Sequence, residues 1–188
     1  MEKSVAEAAR LASAMEQVAK DMSLSSQAAV ASVSAINKQM RAYLSVIISG
    51  ATFQERPKGW KFEGKPMLVN TGNTPAKNVS YGATAAIIQL PLPDDFTFPL
   101  TTERKSTATI GAHQNAILSG IVNDFVDDAE VDDIKLGKDG KCLCIWGIVT
   151  YDDIFGEHQT TKFCQTLLWY ADGKTVHGYY YPQHNETT

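Results

Sequence analysis

The first 42 residues contain no glycine, no proline, no aromatic residue, no cysteine and no histidine. Without glycine or proline nothing in that stretch breaks a helix, and without aromatics it cannot build a β core. No run of 18 apolar residues occurs anywhere in the 188-residue chain, so no stretch reads as a helix that crosses a bilayer. The first twenty residues also lack the apolar centre of a signal peptide. Basic residues are not in excess: 17 Lys and Arg stand against 21 Asp and Glu, a net charge of −4 that argues against nucleic acid as a partner. Three cysteines are too few and too irregularly spaced for a secreted disulfide framework, and the expectation is reduced thiols in the cytoplasm.

What fills the first 42 residues is eleven alanines and seven serines. Val5, Ala8, Leu11, Met15, Val18 and Met22 fall on one helical face, and the stripe resumes at Ala29, Val33, Ile36, Met40 and Tyr43 with its register shifted. That drift suits a straight helix of period 3.6 better than a strict heptad. Ser23, Ser25 and Ser26 sit where the register shifts, and weak helix formers so close together invite a kink. Forty residues of helix span roughly 60 Å, longer than a sandwich domain is wide. Such a helix pairs with another copy, continues as a stalk from a membrane anchor, or folds back at the serines onto its own domain. The interaction face is assigned to Leu11, Met15, Val18, Met22, Val33, Ile36 and Met40.

From Tyr43 onward the pattern changes, and all 13 Gly, 7 Pro and 17 aromatics lie there. Residues 1–42 are therefore read as a helix and 43–188 as a β domain. Eight β-rich segments, 43–53, 67–70, 79–90, 106–110, 116–125, 141–151, 160–170 and 175–181, are bounded by Gly, Pro, Asn or Asp. The fold class expected is mainly β, an immunoglobulin-like antiparallel sandwich with a long N-terminal α-helix. Asp139-Gly140, Phe155-Gly156-Glu157 and Asp172-Gly173 supply reversals. In 142–151 and 163–170 both faces are apolar, so the outer face of that sheet is expected to be covered, and the amphipathic segment Val30–Met40 is the cover assigned.

Chemistry-bearing patterns are sparse. No phosphate-binding glycine loop and no nucleophile elbow occur. Asn70, Gly72 and Pro75 read as a structural turn, with Gly72 supplying an unusual φ. Asp152, Asp153, His158 and Cys164 lie near one reversal and are the weak candidates for a metal site. Six acids between Asp124 and Asp133 lack the order of a calcium loop and read as a solvated acidic loop. His177, Tyr179, Tyr180, Tyr181 and His184 are expected to pack on the core as part of a final strand.

Two short motifs, Arg41-Ala42-Tyr43 and Asn70-Thr71-Gly72-Asn73-Thr74-Pro75-Ala76-Lys77-Asn78-Val79, carry a resemblance. In order and spacing they resemble a group of uncharacterised bacterial membrane-anchored proteins, with an Ala-rich juxtamembrane helix and a β-sandwich domain. The resemblance implies a membrane-proximal domain on the cytoplasmic side, although no anchor precedes the helix in this chain. The expected function is a non-enzymatic binding or assembly module without a cofactor. It self-associates through the helix or is linked by it to a membrane partner. A small-ligand or metal-binding sensor is the alternative.

Overall fold

The computed structural model describes residues 2–100, 104–170 and 172–188. The Ala-rich segment forms one helix, α1 (Glu2–Met40), of 39 residues. It runs unbroken through Ser23, Ser25 and Ser26, which corrects the expected kink and the folding back at that point. A serine hydroxyl can be satisfied by the helix itself, as Ser32 shows by donating to the Ala28 carbonyl at 2.9 Å. The chain divides into two compact units, Met1–Met40 and Arg41–Thr188.

The second unit is mainly β. One antiparallel sheet has the order β1 (Leu44–Arg56), β2 (Gly59–Asn70), β5 (Asn115–Ile117), with β6 (Gly120–Ile121) also pairing β2. The other has the order β10 (Glu186–Thr187), β8 (His158–Trp169), β7 (Lys141–Asp152), β3 (Ala76–Gln89), β4 (Arg104–Ile110), with β9 (Val176–Tyr180) also on β8. Leu44, Val46, Phe62 and Leu68 from the first sheet and Leu143, Ile145, Phe163 and Leu167 from the second share one buried core. Phe62 and Phe53 meet Trp169 edge-on at centroid distances of 5.7 and 5.8 Å, geometry that adds about 0.5–1.5 kcal/mol per pair beyond burial.

Local chemistry explains the irregularities. Pro66 has no N–H to give the ladder, and opposite it β1 bulges: Ile47 pairs Met67 and Gly50 pairs Lys65, leaving Ile48 and Ser49 together across from the proline. Two of the three expected reversals are present, with φ of 83° at Gly156 joining β7 to β8 and 64° at Gly173 joining β8 to β9. Asp139 and Gly140, with φ of 54° and 81°, instead lead out of a helix into β7.

That helix corrects the acidic loop. Asp128–Leu136 is helical, α2, with Asp128 and Glu130 in its first turn, Lys135 in its last and Gly137 left-handed at φ 68° after it. Val131 and Ile134 bury its inner side. The acids are not left solvated alone: Glu130, Asp132 and Asp133 pair Lys141, Lys135 and Lys138 at 2.6, 3.4 and 3.0 Å. The segment read as one strand over 116–125 is two short ones.

The two-faced apolar character of β7 and β8 is confirmed, but its cover differs from the one expected. Leu143, Ile145, Val149, Phe163 and Leu167 face the inter-sheet core, while Cys144, Trp146 and Cys164 face outward into a second cluster. Phe96, Phe98 and Leu100, from the strap between β3 and β4, and Tyr181 cover that cluster. The Trp146 indole donates to the Pro99 carbonyl at 2.9 Å, and the Leu92 N–H donates to the Tyr181 hydroxyl at 3.1 Å. The assigned cover, Val30–Met40, is thus replaced by a Pro-rich segment whose alternating Phe96 and Phe98 had no regular period to reveal them. Trp169 belongs to the inner core instead.

Candidate functional site

The apolar stripe of α1 is exposed along its described length. Leu11, Met15, Val18 and Met22 are 57–69% exposed, Val33 and Ile36 about as much, and Met40 44%. Val5 and Ala8 belong to the same expected stripe, but their side chains lie outside the description. Along Glu2–Met40 four acidic and four basic residues balance, so the helix carries no field that repels a copy of itself. Glu16 and Lys20 pair at 3.2 Å one turn apart, and Gln17 donates to Asp21 at 2.9 Å, which supports the helix locally. No helix among the described residues is long and apolar enough to cross a membrane.

At the start of the β unit the two sequence motifs meet. Asn70, wholly buried, accepts from the Tyr43 and Gly72 N–H groups through Oδ1 at 3.3 and 3.0 Å. Its amide nitrogen donates to the carbonyls of Thr74, Ile110 and Gly111 at 2.8, 3.1 and 3.2 Å. Gly72 is needed for proximity, not for the unusual φ expected of it: a Cβ there would stand 2.4 Å from the Arg41 carbonyl oxygen and 2.6 Å from the Tyr43 nitrogen. Pro75 is exposed at the turn's outer side. Tyr151, whose hydroxyl is held above its ordinary pKa mainly by burial, accepts from the Leu44 N–H at 3.2 Å and donates to the Ala42 carbonyl at 3.3 Å. Arg41 lies over the Tyr43 ring at 4.4 Å and reaches Gln159 and the Thr188 carbonyl at 3.4 and 3.1 Å. The whole arrangement is a structural clamp on the lead-in to β1.

The metal candidates are only partly brought together. Asp152 Oδ1 lies 2.9 Å from His158 Nδ1, and Asp152 Oδ2 accepts from Asn78 at 2.8 Å. The Asn78 amide first, and His158 second, hold the Asp152 carboxyl below its usual range. Asp153, by contrast, is buried and committed to the β7–β8 turn, where Oδ1 accepts from the Phe155 and Glu157 N–H groups at 2.9 and 3.0 Å. Cys164 sits six residues along β8 from His158, directly across from Trp146. Among the described residues no group of three or more His, Cys, Asp or Glu converges as a metal site.

The C-terminal aromatics divide. Tyr181 joins the outer cluster, but Tyr179 and Tyr180 are 57% and 54% exposed, against the expectation that they pack on the core. β9 pairs only the last residues of β8, so its side chains stand at the sheet edge. Tyr180 still donates to the Val46 carbonyl at 3.1 Å. In the gap between β9 and β10, the Asn185 side chain stands in for a strand: the Cys164 N–H donates to its Oδ1 at 2.9 Å and its amide donates to the Cys164 carbonyl at 3.2 Å. His184 stacks on Phe98 at 4.5 Å, and burial pushes its pKa down. Nothing in the sequence marks Asn185, because it acts across the sheet at long range, whereas His184 belongs to the C-terminal cluster expected to pack and does so against the strap. Compared with models of known protein families, with curated proteins and with solved structures, the chain matches none of them.

Proposed function

We propose that this chain is a non-enzymatic assembly module that self-associates through α1, with the β unit, an immunoglobulin-like sandwich in the broad sense, as its cargo. The observation that carries the reading is the exposed stripe from Leu11 to Met40 on one unbroken helix. Burying a Leu, Met or Val fully against a partner stabilises by roughly 1.5–3 kcal/mol, and leaving seven such side chains in water forgoes that gain. Alanines beside the stripe let two helices approach closely, and the balanced charge suits a second copy. The membrane-proximal, cytoplasmic location belongs to the same reading. Its support is that Arg41-Ala42-Tyr43 and the Asn70–Val79 turn, which carry the resemblance to membrane-anchored proteins, are bonded to each other.

Sedimentation equilibrium of the full chain over a wide concentration range tests this. The expected result is a multiple of the monomer mass that falls to the monomer in Met15→Glu/Met22→Glu and in Val33→Glu/Ile36→Glu. A monomer at every concentration overturns the proposal. Because these side chains are exposed, the variants keep the strand signature in circular dichroism.

A further inference from the structure

Three cysteines lie in the β unit, all free and all buried, but they are not equivalent. Cys144 and Cys164 are both 0% exposed, and their sulfurs are 3.6 Å apart. In register Cys144 stands opposite Thr166 and Cys164 opposite Trp146, so the two are diagonal neighbours on the outer face of adjacent strands. Cys142 lies two residues before Cys144 on the same face of β7, opposite Ile88 where Cys144 stands opposite Ala86. We infer that Cys144 and Cys164 are a latent cross-strand disulfide, a covalent modification site that closes by exchange with a small-molecule disulfide when the strap over them opens.

The chemistry balances with one co-reactant. The thiolate of one cysteine attacks a sulfur of the small disulfide, breaks its S–S bond, forms a mixed disulfide and releases one small thiolate. The second cysteine's thiolate then displaces the remaining small thiol, and the two cysteine protons end on the two thiols released. Bringing the sulfurs from 3.6 Å to bonding distance, about 2.05 Å, requires a shift of the strands as well as side-chain rotation, because diagonal cross-strand neighbours stand about 7–8 Å apart.

Access is the controlled step. The contact between the two thiols, together with burial, holds Cys144 in its protonated form, and burial pushes Cys142 up to about 11. Closed, the site is therefore inert toward thiol reagents. The cover is a strap with no strand pairing between Leu92 and Leu100, held on the sheet by its phenylalanines, by the Trp146–Pro99 bond and by the Leu92–Tyr181 bond. A segment so held opens at a lower cost than the whole domain unfolds. Strap opening thus exposes both thiols at once, already adjacent.

The test equilibrates the full chain in glutathione buffers of increasing oxidised share, quenches in denaturant with an alkylating agent, and reads intact mass and peptide map. The expected product carries one alkyl group where the reduced chain carries three, with a linked peptide joining Cys144 to Cys164. Cys142→Ala gives the same link, and Cys164→Ala abolishes it. Trp146→Phe, which keeps the ring but loses the bond to Pro99, speeds closure several-fold at constant glutathione. Three alkylated thiols at every redox poise, glutathione adducts without a link, or a link through Cys142 overturns the proposal. The map is made on the unaltered chain, so a variant that misfolds does not remove the test.

Discussion

The Oδ1 of Asn70 accepts from the backbone N–H of Tyr43 at 3.3 Å, tying the end of β2 to the first residues of the β unit. The same side chain makes four further bonds, to Gly72, Thr74, Ile110 and Gly111. Asn70→Ala removes the acceptor of the buried Gly72 N–H and the donor to the Thr74, Ile110 and Gly111 carbonyls at once, and of these Gly111 keeps the Gln114 N–H. Each orphaned group costs about 1–3 kcal/mol, so the expected loss in chemical denaturation is about 3 kcal/mol or more, with the midpoint shifted and the slope unchanged.

Gly72→Ala tests the close approach separately. The added methyl meets three backbone atoms of residues 41–43 at 2.4–2.8 Å, none of which can rotate away. The expectation is a loss of about 1–3 kcal/mol, typical of overpacking. Gly156→Ala makes the contrast: its Cβ meets nothing within 4 Å, so its cost comes only from φ 83°. A Gly72→Ala chain as stable as the parent would remove the clamp from the account.

Which parts of this architecture were legible follows from how local their signals are. α1 needs only the absence of breakers and a 3.6-residue stripe, both visible in 42 residues. The β7–β8 hairpin needs Gly156 and two apolar runs beside it. α2 carried its own signals, acids first, Lys135 and then Gly137 last, yet its acid density resembled a solvated loop and its buried side is only Val131 and Ile134. β2 was hidden from Gly59 to Pro66 by lysines on its outer face and by a proline that the bulge in β1 accommodates. The strap is legible only in space, since Phe96 and Phe98 find Trp146 about fifty residues away. Of the metal candidates, Asp152 and His158 do meet, but Asp153 is taken up by the β7–β8 turn, and Cys164, on the same face as His158, stands six residues further along β8.

The Asp152 carboxyl gives a prediction on the acid side. Its pKa lies below the ordinary 3.8, so the stability it contributes is present above that value and is lost as pH falls through the lower folded one. Asn78→Gly keeps the positive φ of 51° while removing the amide that is the larger cause, and His158→Ala removes the smaller. The Asp152 side-chain carbon, followed by NMR against pH, is expected to move toward the ordinary value in both variants and further in Asn78→Gly. Equal midpoints in all three chains would dissociate the pair from the titration.

His184 gives the opposite end of the acid range. Burial against Phe98 first, and the Lys162 charge second, lower its pKa from 6.5, while a bond to the Gly147 backbone and the Glu186 carboxylate act the other way. Its folded form therefore binds its proton less readily than the unfolded chain does, and stability falls as pH drops below 6.5 until the folded value is reached. The stack on Phe98 lies on the strap, so that loss is expected to be felt there first, as faster amide exchange between Leu92 and Leu100 at pH 5.5 than at pH 7.5 after correction for intrinsic rates. His184→Asn tolerates the local φ of 61° but neither stacks nor titrates in this range. It is expected to be less stable at every pH and to show a flatter dependence between pH 5 and 7. Stronger pH dependence in that variant than in the parent would show that another group governs the strap.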